Sequence, residues 1–374
     1  MTSLDTLAGV LCLRPGQARP GSVLNNRPDW AGTLASGKSP AEVPGLLASL
    51  YSLCGHAHRL CSQMALRVAE QGSVDADAEA ARALQLETLC EHARRVGLDW
   101  PGALASAAAG DAALSLRCCP VLRSREADPR DTRLWLQRHL LGMPAADWLR
   151  CWEAGSDWWA DWSTTSHGWL PALVRSARSV AGWPVAAAEP LHVHAGVVSL
   201  RQLAACLRED PGYTRQPRWQ EDCAETGSWT RLADAARPMP ATPWQRLGAR
   251  VAELVRLSLP DEPGRSGSGW LAFGALQIAP SEGLAWVEMA RGLLVHHTLL
   301  GDDGRVAAYR VLAPTEWNFH AEGAVAAALE GLRPAHGAFA QRRIAALMAA
   351  YDPCVRFEVE TQAVQDRQEE RSHA

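Results

Sequence analysis

The tetrapeptide Asp352-Pro353-Cys354-Val355 places a cysteine directly after a rigid bend of the chain. Proline fixes its own φ and has no backbone donor, so the bend keeps its shape and can direct the sulfur. A second cysteine stands far upstream, in Leu53-Cys54-Gly55-His56. One well-placed thiol is a weak signal, so the meaning of this pair depends on the residues that lie between them.

The composition predicts a cytoplasmic protein that does not bind nucleic acid. The 374 residues include 37 Lys and Arg against 41 Asp and Glu, and the sequence has no basic block that could bind along a phosphate backbone. The N-terminus lacks the basic flank and apolar core of a secretion signal, and no apolar run reaches the roughly 18 residues that cross a bilayer. The ten cysteines include no Cys-x-x-Cys pair, and most are expected to be small buried residues.

Hydrophobic periodicity predicts that most of the chain is helical. Apolar residues spaced by three and four predict one helix from Val43 to about Gln71, and a capping box at 39–42 precedes it. Asp128 and Thr242, each followed by proline, are N-cap signatures that open further helices. These patterns favour a mainly α, α+β fold with a helical body.

Clear strand patterns are confined to residues 269–313 and predict one small antiparallel sheet, with a hairpin loop at 301–304. Residues 1–38 show no sustained period and are predicted to be loop with at most one short strand. No internal repeat or long linker divides the chain, so residues 1–360 are predicted to form a single domain. The charged segment 361–374 is predicted to be a disordered tail.

The divergent helical middle, residues 100–240, is unusually rich in tryptophan. Eight tryptophans lie between Trp135 and Trp183, and a break near Gly155 divides them. Four of them would lie near one helix face if the helix ran through: Trp148, Trp152, Trp159 and Trp162. One interpretation is core packing, and the other is an exposed aromatic patch that docks a partner.

Local patterns alone do not define a metal site. Cys54, His58 and Cys61 fall at i, i+4 and i+7, a spacing that puts three donors on one helix face. Without a second local pair, the alternative is a buried apolar stripe beside a surface histidine. Two further histidine pairs are interpreted as structural: His192 with His194, and His296 with His297. Nucleophile-elbow, P-loop and dinucleotide-binding motifs are missing from the sequence.

Four motifs in order do carry a signal. They are Cys54-Gly55, then Glu288-Met289-Ala290-Arg291-Gly292 with His296, then Val311-Leu312-Ala313-Pro314-Thr315-Glu316-Trp317-Asn318, and finally Asp352-Pro353-Cys354. Their order and spacing resembles the large subunit of nickel–iron hydrogenases. The resemblance covers the segment around 40–70 and most of 268–360, whereas the middle matches only in being helical. It implies the large-subunit fold.

The departures from this family pattern indicate what the chain does not do. In the family, four cysteine thiolates bind nickel and bridge it to an iron that carries cyanide and carbon monoxide. Cys54 and Cys354 match the two terminal positions, but the two bridging positions hold Ala57 and Phe357. Neither alanine nor phenylalanine donates to a metal. We therefore predict that the protein is not an active hydrogenase and that it binds no nickel.

The surroundings of the iron are better preserved. The resemblance implies that Arg291 lies beside the cyanide ligands and that Thr315 donates a hydrogen bond to one of them. The alternative roles are a surface salt bridge for Arg291 and a turn hydroxyl for Thr315. For the same motif, Trp317 is interpreted as a packed aromatic residue and Asn318 as the cap of the next helix.

A large-subunit framework with two of four thiolates resembles the HupK/HoxV group of hydrogenase accessory proteins. The implied role is a scaffold, not an enzyme, that holds Fe(CN)2(CO) transiently on Cys54 and Cys354. The implied partners are the iron-delivering maturation chaperone and the apo hydrogenase large subunit. Two alternatives stay open: a metal-free chaperone that mimics the large subunit, and a redox enzyme with mononuclear iron, in which Cys61 and Glu360 are further candidate ligands.

Overall fold

The computed structural model of the chain describes residues 9–74, 77–104, 108–124, 126–155, 157–332 and 337–360. The predicted tail, 361–374, lies outside the described residues. Within them the chain is mainly helical with two small sheets, which confirms the predicted fold class.

Helices make up the body of the protein. They are α1 (Trp30–Ala35), α2 (Val43–Leu50), α3 (Gly55–Gln71), α4 (Ala78–Arg94), α5 (Trp100–Leu104), α6 (Ala109–Leu116), α7 (Pro120–Arg123), α8 (Pro129–Leu136), α9 (Ala145–Ala154), α10 (Trp158–Thr165), α11 (Trp169–Ala181), α12 (Val197–Glu209), α13 (Pro243–Ser258), α14 (Pro314–Asn318), α15 (Ala324–Glu330) and α16 (Ala338–Tyr351). The predicted caps at Asp128 and Thr242 are confirmed, since each side chain accepts a backbone N–H of the first helical turn. In the part of the chain that the structure describes, none of these helices has both the length and the apolarity to cross a bilayer.

The strands form two separate sheets. They are β1 (Leu11–Leu13), β2 (Val23–Asn25), β3 (Phe273–Ala279), β4 (Glu282–Met289), β5 (Gly292–Leu300), β6 (Val306–Leu312) and β7 (Phe357–Val359). Strands β3 to β6 form the predicted antiparallel sheet in chain order, and residues 301–304 connect β5 to β6. Helix α3 packs across this sheet so closely that a Cβ on Gly283 would clash with the carbonyl oxygen of Ala65.

The prediction of a single sheet within 269–313, with at most one short strand in the N-terminal segment, is wrong. A second sheet has the order β2-β1-β7, in which β1 pairs antiparallel with β2 and parallel with β7. Each of its strands has three residues, which is too short to show a period of two in the sequence. This sheet attaches the chain that follows Cys354 to the N-terminal segment.

The prediction of one helix from Val43 to Gln71 is also wrong. The helix ends at Leu50, Ser52–Cys54 form a single 3₁₀ turn, and α3 begins at Gly55. The apolar pattern continues through the break because Leu47 of α2 and Leu66 of α3 pack in the same cluster. The break places Cys54 at the N-cap of α3, at a bend instead of within a helix.

The tryptophan-rich middle is packed into the core. Trp148, Trp159 and Trp162 are buried, and their rings contact one another with centroids 5.2 to 6.2 Å apart. Trp159 also packs against Trp244 of α13. All eight tryptophans between 135 and 183 are buried or half-buried. The core interpretation is confirmed, and the exposed docking patch predicted as its alternative is wrong.

Candidate functional site

Cys54 and Cys354 line the same cavity, which has a volume of about 170 Å³. The bend before α3 supplies one thiol and the turn after α16 supplies the other. The polar residues of the lining include Arg27, Tyr51, His58, Arg291 and Thr315, and the apolar ones include Pro28, Met289, Ala313, Pro314 and Val355. A cavity of this size suits a group of a few atoms and excludes a peptide.

A buried ion cluster fixes the turn that carries Cys354. Asp352 has a left-handed backbone, with φ of 51°, at the end of α16. Its carboxylate lies 2.7 Å from Arg95 Nε, 3.1 Å from Arg250 Nη1 and 3.6 Å from Arg291 Nε. Although burial opposes the charge, these guanidinium groups hold the pKa of Asp352 below its ordinary value. The aspartate of the Asp-Pro-Cys turn is therefore an anchor, and the cysteine two residues later faces the cavity.

Thr315 contacts the Cys354 thiol directly. Its Oγ1 lies 3.0 Å from Cys354 Sγ and also accepts a 3.4 Å hydrogen bond from the Cys354 backbone N–H. Thr315 is buried in the first turn of α14, where Pro314 begins the helix. The hydroxyl thus lies where it can hydrogen-bond a thiolate or a group bound to it.

Arg291 reaches the cavity from the turn between β4 and β5. Its side chain is buried, and Nη2 donates to Glu91 Oε2 at 2.7 Å. Nε and Nη1 have no hydrogen-bond partner among the described residues. A buried guanidinium with unused N–H groups is rare unless a further ligand completes it. Against burial, Asp352 and Glu91 raise the pKa of Arg291, so it stays charged.

Glu87 orders the segment that carries Cys54. Its carboxylate accepts the backbone N–H groups of His56 at 2.7 Å and Ala57 at 2.9 Å, and so caps the N-terminus of α3. Burial raises the pKa of Glu87 to about 7 in spite of these bonds. Burial also raises the pKa of the Cys54 thiol well above its ordinary value, with Arg291 opposing. Cys54 is therefore a thiol at neutral pH, and a metal must displace its proton.

Arg27 is a cavity residue that the sequence analysis missed. Its side chain is 13% exposed, and its Nη1 donates to Glu316 Oε1 at 2.5 Å. Against burial, Cys354 and Glu316 raise its pKa, so a second permanent cation borders the thiols. Arg27 comes from the N-terminal segment predicted to be loop, and no local pattern marks it. It lies two residues after β2, in the sheet where β1 pairs with both β2 and β7.

Two predicted ligands lie elsewhere. The Cys61 S–H donates to the carbonyl oxygen of Ala285 at 3.4 Å, so this thiol faces the sheet. Glu360 pairs with Arg14 at 2.8 Å. Neither residue lines the cavity. The prediction of Cys61 and Glu360 as further ligands is therefore not supported by their positions, and Cys54, His58 and Cys61 do not assemble into a three-donor helical site.

The two positions that hold bridging cysteines in the hydrogenase pattern bring no donor to the cavity. Ala57 is buried in the first turn of α3, and Phe357 begins β7 opposite Leu11 with its side chain 37% exposed. Across the described residues, no group of three or more His, Cys, Asp or Glu side chains is placed to hold a metal ion. The sulfur and imidazole donors that line this cavity are the two thiols and His58.

The third motif has the structural role that was predicted, with one correction. Trp317 is buried in the core. Asn318 does not cap the next helix, because α15 begins after Gly323. Instead its side-chain amide pairs with the backbone of Thr226, accepting from N–H at 2.9 Å and donating to the carbonyl at 2.8 Å. This pair attaches α14, and with it Thr315, to the preceding loop.

Two similar proteins identify the class to which this chain belongs. The chain is 41% identical over 375 residues to the hydrogenase expression/formation protein HoxV of Cupriavidus necator, a match that covers 96% of this chain and 97% of HoxV. It is 29% identical over 364 residues to the hydrogenase expression/formation protein HupK of Rhizobium leguminosarum, covering 92% and 93%. These matches define the class of hydrogenase expression/formation proteins. Within that class, the chain belongs to the HoxV and HupK family, as the motifs predicted.

Solved structures with a similar chain path are hydrogenases. An NAD+-reducing [NiFe]-hydrogenase in the H2-reduced state has a TM-score of 0.46 at 14% identity, covering 92% of this chain and 98% of that chain. The Ni-Fe-Se hydrogenase from D. vulgaris Hildenborough in the as-isolated oxidized state has a TM-score of 0.49 at 13% identity, covering 88% and 92%. These likenesses concern the fold alone. No protein-family model matches the sequence.

Proposed function

We propose that the protein is an assembly scaffold in nickel–iron hydrogenase formation, which holds Fe(CN)2(CO) on Cys54 and Cys354 before the group passes to the apo large subunit. Membership of a family named for hydrogenase expression and formation supports the general role. The iron group is cargo in this proposal, and the protein performs no redox catalysis.

One observation carries the proposal. Two thiols share a small cavity with a buried arginine whose Nη1 has no hydrogen-bond partner among the described residues and with a hydroxyl 3.0 Å from one sulfur. Thiolates are suitable ligands for a ferrous ion that carries diatomic groups, and cyanide nitrogens accept hydrogen bonds. The residues present therefore fit this cargo: Cys54 and Cys354 would hold the iron, while Arg291 and Thr315 would hold its cyanide ligands.

The charge of the cavity agrees with an anionic cargo. Two thiolates and two cyanides outweigh the charge of one ferrous ion, so the loaded site is anionic. Arg27 and Arg291 line the cavity as permanent cations, although each also pairs with a carboxylate. Such cations lower the cost of burying an anion.

The same site explains why the cargo would be held only transiently and without nickel. The cavity offers two thiols, and the positions of Ala57 and Phe357 add no bridging donor. Because burial favours the protonated form of Cys54, binding releases a proton and reprotonation favours release. A site with fewer protein ligands and a protonatable thiol is suited to transfer.

Two partners follow from this role. An iron-delivering maturation chaperone would load the site, and the apo hydrogenase large subunit would receive the cargo. Leu53, beside Cys54, lines the cavity and is 40% exposed, so the cavity borders the protein surface.

Infrared spectroscopy tests the proposal. The protein is co-produced with the machinery that makes the iron ligands and is purified without oxygen. We expect cyanide and carbonyl stretches and about one iron per chain. Cys54→Ala and Cys354→Ala should each lose the bands. Two matched cysteine variants should keep them: Cys118→Ser, at an exposed position, and Cys61→Ala, whose thiol faces the sheet.

The outcomes separate the alternatives. Iron-free protein without bands would sink the scaffold and leave a metal-free chaperone. Hydrogen uptake by the isolated protein would instead support a redox enzyme. Bands that survive in both Cys54→Ala and Cys354→Ala would place the cargo elsewhere.

A further inference from the structure

His58 is a cavity residue whose polar atoms have no role in the proposal so far. It lies on α3, one turn after Cys54, and it lines the cavity. Its ring stacks on Tyr51 with centroids 3.9 Å apart and an angle of 17° between the planes. Its Nδ1 lies 3.1 Å from His296 Nε2. One ring face and one ring nitrogen are thus occupied, and Nε2 is the nitrogen left for a ligand.

His58 is the first member of a buried hydrogen-bonded chain. His296 Nδ1 lies 2.7 Å from the hydroxyl of Tyr309 on the neighbouring strand, and all three residues are buried. Burial lowers the pKa of His296 to about 3 and holds the pKa of His58 well below its ordinary value. Both imidazoles are therefore neutral, and each has a single N–H.

This chain can run in two directions, because a protonated tyrosine hydroxyl can donate to His296 Nδ1 or accept from it. Burial keeps the Tyr309 hydroxyl protonated, because it raises the pKa well above the ordinary value. If that hydroxyl donates to His296 Nδ1, then His296 Nε2–H donates to His58 Nδ1, and His58 carries its proton on Nε2. The reverse direction would leave a bare lone pair on Nε2.

We propose that His58 is a third recognition residue of the cargo site, which donates its Nε2–H to one of the diatomic ligands on the iron. This inference rests on the proposed function and deepens it. Arg291 supplies a charged donor and Thr315 a hydroxyl, whereas His58 supplies a neutral donor. Tyr309 and His296 are positioning residues, since they touch the cargo only through His58.

A purely structural role for the His58 ring does not explain the polar groups bonded to it. Stacking on Tyr51 needs only a flat ring, which phenylalanine would provide without a buried polar group. The chain of three polar groups costs desolvation that an apolar core would avoid. A hydrogen bond from His58 to the cargo would explain why these buried polar groups are present.

Infrared spectra of the co-produced, anaerobically purified protein test the role. His58→Phe should displace the stretch of one diatomic ligand while the other stretches stay in place. It should also reduce the iron retained at limiting supply about five-fold, as expected for one lost hydrogen bond. His58→Gln, which restores a side-chain donor, should return the band toward its wild-type position. Tyr309→Phe should displace the same band without altering a cavity residue.

His56→Gln is the matched control, because it alters the same helix turn but does not line the cavity. Unchanged bands in both His58→Phe and Tyr309→Phe would overturn the inference while the scaffold stands. Wild-type protein without bands would overturn the proposed function itself, and with it this inference. If His58→Phe does not fold, as judged by circular dichroism, the bands of His58→Gln and Tyr309→Phe decide the question.

Discussion

Thr315 Oγ1 and Cys354 Sγ lie 3.0 Å apart, although 39 residues separate them in sequence. The hydroxyl also accepts from the Cys354 backbone N–H, so it contacts both the sulfur and the turn that carries it. Its own position is fixed by the amide pair between Asn318 and Thr226. The thiol is therefore oriented from α14 as well as from its own turn.

Thr315→Val should weaken the cargo site while leaving the fold intact. Valine has the shape of threonine but donates no hydrogen bond, so we expect a loss of about 1 kcal/mol, or roughly five-fold in iron retained. Thr315→Ser keeps the hydroxyl and should retain the iron. Iron content and infrared spectra measure the effect. Equal behaviour of the valine and serine variants would show that the hydroxyl has no part in binding.

Arg291→Met should destabilise the protein whether or not cargo is bound. The change leaves Glu91 without its 2.7 Å partner and removes one of the three cations around Asp352. Breaking a buried ion pair from one side costs about 3–5 kcal/mol. Urea denaturation of the iron-free protein measures this.

Adding Glu91→Gln to Arg291→Met should recover part of that loss, because the stranded carboxylate becomes neutral. The single variant Glu91→Gln completes the double-mutant cycle. If the double variant is no more stable than Arg291→Met, the buried pair is not the source of the loss.

The sequence identifies the two thiols but does not show how the fold brings them to one cavity. Asp-Pro-Cys and Cys-Gly are recognisable because the residues are consecutive, and the meander β3 to β6 has strands long enough to show a pattern. The break at Tyr51 is hidden, since both helices bury apolar residues in the same core and the period continues.

Long-range contacts explain the rest of what the sequence could not show. Arg27 lies in the cavity lining just after β2, a strand of only three residues, and no local rule pairs β1 with β7. Glu87 caps α3 from the middle of α4, an alanine-rich helix. Its position in the sequence pattern of that helix does not distinguish it from a surface glutamate. Both residues depend on tertiary packing that local propensity does not encode.

Glu87→Ala should unfold the first turn of α3 and loosen Cys54. The N–H groups of His56 and Ala57 would lose their acceptor in a buried setting, at a cost of about 1–2 kcal/mol. We expect lower stability in urea and faster alkylation of Cys54 by iodoacetamide. Glu70→Ala, at an exposed position in the last turn of the same helix, should change neither. Alkylation at the wild-type rate would contradict a role of Glu87 in ordering this segment.

His296 should make the protein less stable in acid. An unfolded histidine titrates near pH 6.5, whereas burial lowers the pKa of His296 to about 3. Between these values the unfolded state binds more protons, so this contribution is complete above about pH 6.5 and declines as the pH falls toward 3. The slope is up to about 1.4 kcal/mol per pH unit.

His296→Gln removes this titration. The variant should be less stable at pH 7, because it loses contacts to His58 and Tyr309, but its stability should fall less steeply between pH 6 and 4. Urea midpoints at several pH values measure both effects. His167→Gln, which alters an exposed histidine outside this chain of contacts, is the control. Equal slopes for wild type and His296→Gln would mean that His296 is not the titrating group.

Restoring the two missing cysteines should not create a nickel site. Ala57→Cys places a thiol in the first turn of α3, within a turn of Cys54. Phe357→Cys, however, stays in β7, where pairing with Leu11 fixes the backbone and the side chain is partly exposed outside the cavity lining. Phe357 lines a neighbouring cavity with Cys354, but Cys54 does not line that one, so bringing the new thiol to both cysteines would require the start of β7 to shift from its pairing with Leu11. We therefore expect the double variant to bind no stoichiometric nickel in equilibrium dialysis. Tight binding of one nickel per chain would show that the C-terminal strand detaches readily, and that the missing cysteines alone separate this protein from a metal-bridging site.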